Sequence, residues 1–297
     1  MMRQKSRLKT RDEIRAWIVI LFVIVISLAV PMHVQADVGP KPSVIVDFER
    51  LDGEFYFATL LSSVESTGPY SAGNTYQEYM GSHEVFLKFV EYEDSDAYNF
   101  LCFYQDCSKT NQFSWTYRPP QKFKILLYFP ETDTFIVSNE IYERYAFDSY
   151  FTAEIVLHGS NLTAEADIVL SRSYNFQNEI ISLIIRILLT IAVEIGIALL
   201  FGLRGNTVFR FIVLTNIVTQ IALNLTLNLI SFYMGTLAFV AFYILLEIAV
   251  FIIETILYLV LLKSQASKQR LILYSLSSNI FSFALGVVLA LWIPSIF

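Results

Sequence analysis

The chain has 297 residues, 55% of them hydrophobic, with a formal net charge of −6 and a mean hydropathy of +0.52. That is too apolar for an ordinary soluble domain, and the length suggests about two domains. Residues 37–179 hold 22 acidic against 9 basic residues, a net of −13. A surface that acidic argues against nucleic acid as a partner and favours cations or basic ligands.

The N-terminus reads as a secretory signal over residues 1–36. Arg3, Lys5, Arg7, Lys9, Arg11 and Arg15 precede an apolar run over 16–30. Val34-Gln35-Ala36 then offers a cleavage site after Ala36. The run is short of the about 20 residues that a spanning helix needs. An uncleaved anchor is the competing reading, and it orients the downstream residues in the same way.

Residues 37–175 have the pattern of an extracellular all-β, sandwich-like domain. Short runs rich in Phe, Tyr, Val and Ile alternate with Gly, Pro, Asn and Asp. Strands are expected over 44–48, 55–64, 85–92, 98–104, 123–129, 134–137, 150–157 and 166–171. Several of these runs alternate, as Lys122-Phe123-Lys124-Ile125 does. Strands at this spacing suggest a β-sandwich. The turn chemistry of residues 68–77 suggests an exposed loop. Cys102 and Cys107 have four residues between them. They can close a small loop as a disulfide in an oxidising setting, or stand as two free buried thiols. Asn161-Leu162-Thr163 matches the glycosylation sequon, which matters only in a eukaryotic secretory pathway.

Residues 176–297 then form a four-helix transmembrane domain, with spans over 180–203, 208–232, 237–262 and 271–294, each long enough to cross a bilayer. Arg204 and Arg210 flank the first connection, and Lys263, Lys268 and Arg270 the third. The middle connection, 233–236, and the C-terminal tail carry no charge. By the positive-inside rule the first and third connections are cytoplasmic. Residues 37–179 and the C-terminus are therefore outside, as the signal peptide independently requires.

Polar residues recur inside these spans: Glu194, Asn216, Gln220, Glu247, Glu254 and Asn279. At a rise of about 1.5 Å per residue, Glu194, Asn216, Glu254 and Asn279 fall within roughly one helical turn of a common depth. One comes from each helix. Glu247 lies slightly to the external side. Arg186, Thr190 and Glu194 step by four, as do Asn216, Gln220, Asn224 and Asn228, so each set shares a face. Glu247 and Glu254 share another face, with Tyr243 and Tyr258 beside them. Ser275, Ser278, Asn279 and Ser282 line a fourth. A four-helix bundle with these stripes inward is the economical arrangement.

Amides and hydroxyls commonly serve as interhelical glue worth about 0.6 kcal/mol. Glutamates cost a few kcal/mol at the bilayer centre unless paired, neutralised or hydrated. Away from the span ends, Arg186 is the one cationic residue inside the spans, two turns from Glu194. The surplus carboxylates therefore carry protons, or a cation or water compensates them. The donor set is carboxylate and amide oxygen, with no His, Cys or Met. It suits a proton or a hard cation such as sodium, magnesium, calcium or manganese, and disfavours soft metals. No organic cofactor is implied. Nucleotide-binding, metalloprotease and hydrolase motifs are missing, and no Asp lies in any span.

The sequence resembles a family of bacterial membrane proteins that join a secreted β-rich domain to four transmembrane helices. The residues that carry the resemblance are 190–194 (TIAVE), 216–220 (NIVTQ), Glu247 to Glu254, and 279–283 (NIFSF). In the outer domain they are 37–43 (DVGPKPS) and 145–151 (YAFDSYF). The resemblance implies this architecture and a multi-pass location in a bacterial plasma membrane, and no activity. Proton or hard-cation transport or sensing through the Glu/Asn layer is the leading expectation. The alternative is a non-transporting envelope receptor or subunit whose acidic β domain binds an extracellular ligand or a protein partner. Four helices are few for a transporter, so a homo-oligomer or a partner membrane subunit fits either reading.

Overall fold

A computed structural model describes residues 39–73, 81–156 and 166–292 of the chain. The expected signal segment with its cleavage site, the Asn161 sequon and part of the 68–77 loop lie outside the described residues. Two compact units are present, Pro40–Asn175 and a helical unit from Phe176 onward.

The first unit is β-rich with mixed sheets. One sheet holds β1 (Ser43–Glu49), β7 (Gln112–Trp115), β11 (Asp148–Val156) and β12 (Asp167–Arg172), in the order β12-β11-β1-β7. Strand β1 runs parallel to β11 and antiparallel to β7. The other sheet is built on β2 (Phe57–Ser62) and β8 (Lys122–Phe129), paired antiparallel with Leu60 opposite Ile125. Strand β9 (Thr134–Val137) and the two-residue strands β5 (Asn99–Phe100), β6 (Gln105–Asp106) and β10 (Tyr142–Glu143) extend it. A small hairpin, β3 (Ser66–Thr67) with β4 (Tyr70–Ser71), occupies part of the expected open loop. Tyr70 there is half-buried, against Trp115 and Phe103.

Alternate residues of β2 and β8 face opposite ways, as the pleat demands. Ala58, Leu60, Phe123, Ile125 and Leu127 join Val46, Trp115, Phe151 and Ile168 of the first sheet in one apolar core. Phe57, Leu61, Leu126 and Tyr128 join a second cluster on the reverse face, with Phe86 and Phe89. Those phenylalanines belong to α1 (His83–Glu91), where a strand was expected over 85–92. Ser82 starts the helix: its side chain accepts from the Val85 N–H at 3.5 Å. Val85, Phe86 and Phe89 then fall on one helical face and are buried. Their aromatic and β-branched types suggest a strand, but their spacing fits helix and sheet-covering burial decides it.

Because α1 covers the reverse face, Lys124 is only 2% exposed. Its ammonium lies 3.0 and 3.1 Å from the two Asp94 oxygens and 2.5 Å from Asp96. The expected strand over 98–104 shrinks to β5, because Cys102 sits at a φ of 57° and breaks the ladder.

Cys102 and Cys107 are both free and buried, so the possible disulfide is not formed. They belong to different apolar clusters, Cys107 between the sheets and Cys102 on the reverse face with α1. Burial raises both thiol pKa values; that of Cys107, with Asp106 adding to the effect, is pushed up to about 12.

The second unit comprises α2 (Phe176–Leu200), α3 (Asn206–Met234), α4 (Thr236–Leu261) and α5 (Lys268–Trp292). All four are long and apolar enough to cross a membrane. Gly235, at a φ of 81°, is the whole joint between α3 and α4. A side chain there would be strained, so glycine permits the abrupt reversal. Each helix packs against its neighbours in the chain, and α2 also packs against α5, closing a ring of four.

Burial in this unit is inverted relative to a water-soluble bundle. Leu188 and Leu200 are 62% and 85% exposed, whereas Glu194 and Asn216 are fully buried. Apolar side chains outside and carboxylates inside reverse the usual water-soluble pattern.

Candidate functional site

The polar stripes face inward and meet in one layer, to which every helix contributes. From α2 comes Glu194, whose Oε2 accepts three hydrogen bonds. The donors are Asn216 Nδ2 at 2.7 Å, the Tyr258 hydroxyl at 2.8 Å and the Tyr274 hydroxyl at 3.1 Å. From α4 comes Glu254. Its Oε1 accepts from Thr219 Oγ1 at 2.7 Å and its Oε2 from Asn279 Nδ2 at 2.9 Å. Asn216 and Thr219, one turn apart on one helix, bring the two carboxyl groups into the same layer.

Helical spacing explains the arrangement. Asn216 and Thr219 are three apart on α3, one facing each carboxyl group. Glu254 and Tyr258 are four apart on α4, so Glu254 meets its own partners while Tyr258 reaches Glu194. On α5, Asn279 and Tyr274 are five apart and serve different carboxyls. Asn216 Nδ2 also donates to Ile212 O at 3.0 Å, which orients its amide. Among the described residues, two buried acceptors of the layer have no hydrogen-bond partner: Glu194 Oε1 and Asn216 Oδ1. Orphaned buried oxygens are rare and call for an explanation such as an ion or a proton.

The structure thus brings Glu194, Asn216, Glu254 and Asn279 together, one from each helix. Glu247 and Gln220 stand apart from them. With Arg186, Thr190, Asn224 and Ser282 they line a separate cavity of about 380 Å³. Glu247 and Asn279 also edge a smaller apolar groove of about 240 Å³ between α4 and α5. Among the described residues, no group of three or more His, Cys, Asp and Glu forms a metal-binding cluster. A cation at the layer would therefore rely on amide and hydroxyl oxygens as well as the two carboxyls.

Tyr274 and Thr219 are members of the layer that residue-type reasoning passes over. A tyrosine near a helix end reads as an interfacial anchor, and a threonine as generic packing. The available signal was position: Tyr274 lies five residues before Asn279, and Thr219 three after Asn216.

On one side the layer is closed by apolar packing. Tyr258 and Tyr274 belong to a buried cluster with Ile197, Ile212, Leu262 and Leu271. On the other side, one turn along α3, Gln220 and Asn224 open into the cavity. The chain matches no known protein-family profile, no curated protein and no solved structure.

Proposed function

We propose that the helical unit is a multi-pass membrane domain that binds a proton or a hard cation at Glu194 and Glu254, for transport or sensing. The observation that carries this reading is the pair of adjacent buried carboxyls with two orphaned oxygens, Glu194 Oε1 and Asn216 Oδ1. Like charges so close do not both ionise without compensation. A proton shared between the carboxyls would satisfy Glu194 Oε1 alone. A hard cation would satisfy both orphans with oxygen ligands. The apolar cluster on one side and the cavity on the other favour entry from the cavity side.

The test is thermal unfolding of the purified chain across pH with sodium, potassium, magnesium, calcium or manganese. Protons or one of these cations should raise the melting temperature, and the double variant Glu194→Gln, Glu254→Gln should lose that response. A ligand at a hundred times its Kd stabilises by about 2.7 kcal/mol. An unchanged response in the double variant would reduce the layer to interhelical glue. The receptor or subunit reading would then take precedence.

The β-rich unit, with one apolar core shared by two sheets, is read as a sandwich-like domain. On the outer side of the membrane its acidic surface would concentrate cations or contact a partner. The basic connections at Arg204 and Lys268 support that orientation. With both native thiols buried, a cysteine introduced at Ser63 should react with a membrane-impermeant reagent in intact cells, and one at Ser267 should not. The reverse pattern would overturn the topology.

A further inference from the structure

The cavity beside the carboxyl layer has a character of its own. All four helices line it, and its walls are mostly apolar, including Leu189, Leu223, Phe239 and Leu285. Two opposite charges face it from different helices: Arg186 on α2 and Glu247 on α4. They attract each other through space. The guanidinium is held in place: Arg186 Nη1 donates to Asn224 Oδ1 at 3.0 Å, and Asn224 Nδ2 donates to Gln220 O at 2.8 Å. Tyr243 lines the cavity beside Glu247 on α4. About 380 Å³ of space sits between these groups.

A bare ion pair would be expected to close up, because separated charges in an apolar interior forfeit their Coulomb attraction and keep the desolvation cost. Here the guanidinium is held by Asn224 of the adjacent helix, and the space stays open. The volume is at the small end of ligand pockets, which run from about 300 to 1,000 Å³ and combine apolar walls with a few convergent polar groups.

We propose that this cavity binds a small zwitterion, with its anionic group on Arg186, its ammonium on Glu247 and its carbon chain against the apolar wall. Arginine suits a carboxylate or phosphate because its planar fork donates two parallel hydrogen bonds. A ligand with both charges satisfies both walls. A ligand with one charge pairs with one wall only. Two sources share this chemistry: a free amino acid and the headgroup of an ethanolamine phospholipid.

The test uses the purified full chain and a series of unbranched ω-aminocarboxylates with two to five methylenes. Alkylamines and alkanoates of equal length serve as singly charged controls, and phosphoethanolamine as the headgroup probe. At least one zwitterion should raise the melting temperature saturably, and the matched controls should not. Arg186→Gln and Glu247→Gln should each weaken that binding at least tenfold. Gly286→Val keeps both charges but fills the cavity. A Cβ at this position makes only ordinary contact, 3.5 Å from the Tyr243 hydroxyl. This variant should fold and bind at least tenfold more weakly, so the test survives if a charge variant fails to fold.

A response to the aminocarboxylates alone assigns a free solute. A response to phosphoethanolamine, with higher stability in phosphatidylethanolamine than in phosphatidylglycerol nanodiscs, assigns a headgroup. Absence of any zwitterion response, equal response to the singly charged controls, or unaltered binding in the folded variants would overturn the proposal.

Discussion

Replacing Glu194 by leucine should destabilise the helical unit by roughly 2–6 kcal/mol, at about 1–3 kcal/mol for each tyrosine hydroxyl left without its acceptor. Three donors converge on one oxygen of this carboxyl, from Asn216, Tyr258 and Tyr274. Asn216 keeps a second acceptor in Ile212 O. The hydroxyls of Tyr258 and Tyr274 both take the Glu194 oxygen as their acceptor, and both side chains are fully buried. Leucine supplies no replacement. Glu194→Gln keeps a carbonyl oxygen for the same donors and should cost no more than about 1.5 kcal/mol, the scale of one ordinary hydrogen bond. Unfolding of both variants in a mild detergent, with the parent alongside, gives the comparison. A leucine variant as stable as the glutamine variant would mean that the three hydrogen bonds do not hold the helices together.

In the β-rich unit the largest effect should come from Lys124→Met. The lysine and Asp94 are both buried, at 2% and 0% side-chain exposure. Asp94 also accepts from the backbone N–H of Asp96 and of Tyr98, so it organises the turn after α1. Removing the ammonium leaves a buried carboxylate uncompensated, a change that typically costs about 3–5 kcal/mol. Adding Asp94→Asn should recover part of the loss, because the amide still accepts from the turn and carries no charge. Urea unfolding of residues 40–175 expressed alone should show a lower midpoint at unchanged slope, which isolates stability from compactness. A midpoint within error of the parent would refute the buried pair.

The same lysine has a pH signature. Burial pulls its pKa down, but the hydrogen bonds to Asp96 and Asp94 outweigh it, and the net shift is upward. A group whose folded pKa exceeds its unfolded value, about 10.4 for lysine, contributes fully below that value. Its contribution fades as pH rises through the folded pKa. The parent's lead over Lys124→Met should therefore hold at neutral pH and narrow above about pH 10.4.

Much of the helical unit is legible in the sequence because two periodicities coincide. Apolar runs of this length are long enough to span, and the i, i+4 spacing of Arg186, Thr190 and Glu194 places them on one stripe whatever the neighbours do. Since a carboxylate facing lipid is costly, the stripes must turn inward, and depth counting then brings Glu194, Asn216, Glu254 and Asn279 to one level. Pairing is a different matter. Asn216 meets Glu194 and Asn279 meets Glu254 because of how four helices rotate and stagger within the ring, and no single helix encodes that. The same rotation sends Glu247, two turns from Glu254 on a shared face, to the cavity with Arg186, and brings Tyr274 to Glu194. In the β-rich unit, alternation locates β1, β11 and β12, since a half-buried strand repeats every two residues, and short apolar runs between turn residues locate β8 and β9. It does not give the burial of Lys124, and it fails at residues 83–91, because both depend on what lies across the sheet. Lys124 is buried because a helix covers its face, and the segment 83–91 is a helix because Ser82 caps it and the sheet beneath accepts Phe86 and Phe89. Local periodicity is a property of the chain and can be read along it; partners across a layer are set by packing between distant segments, which only the tertiary structure decides.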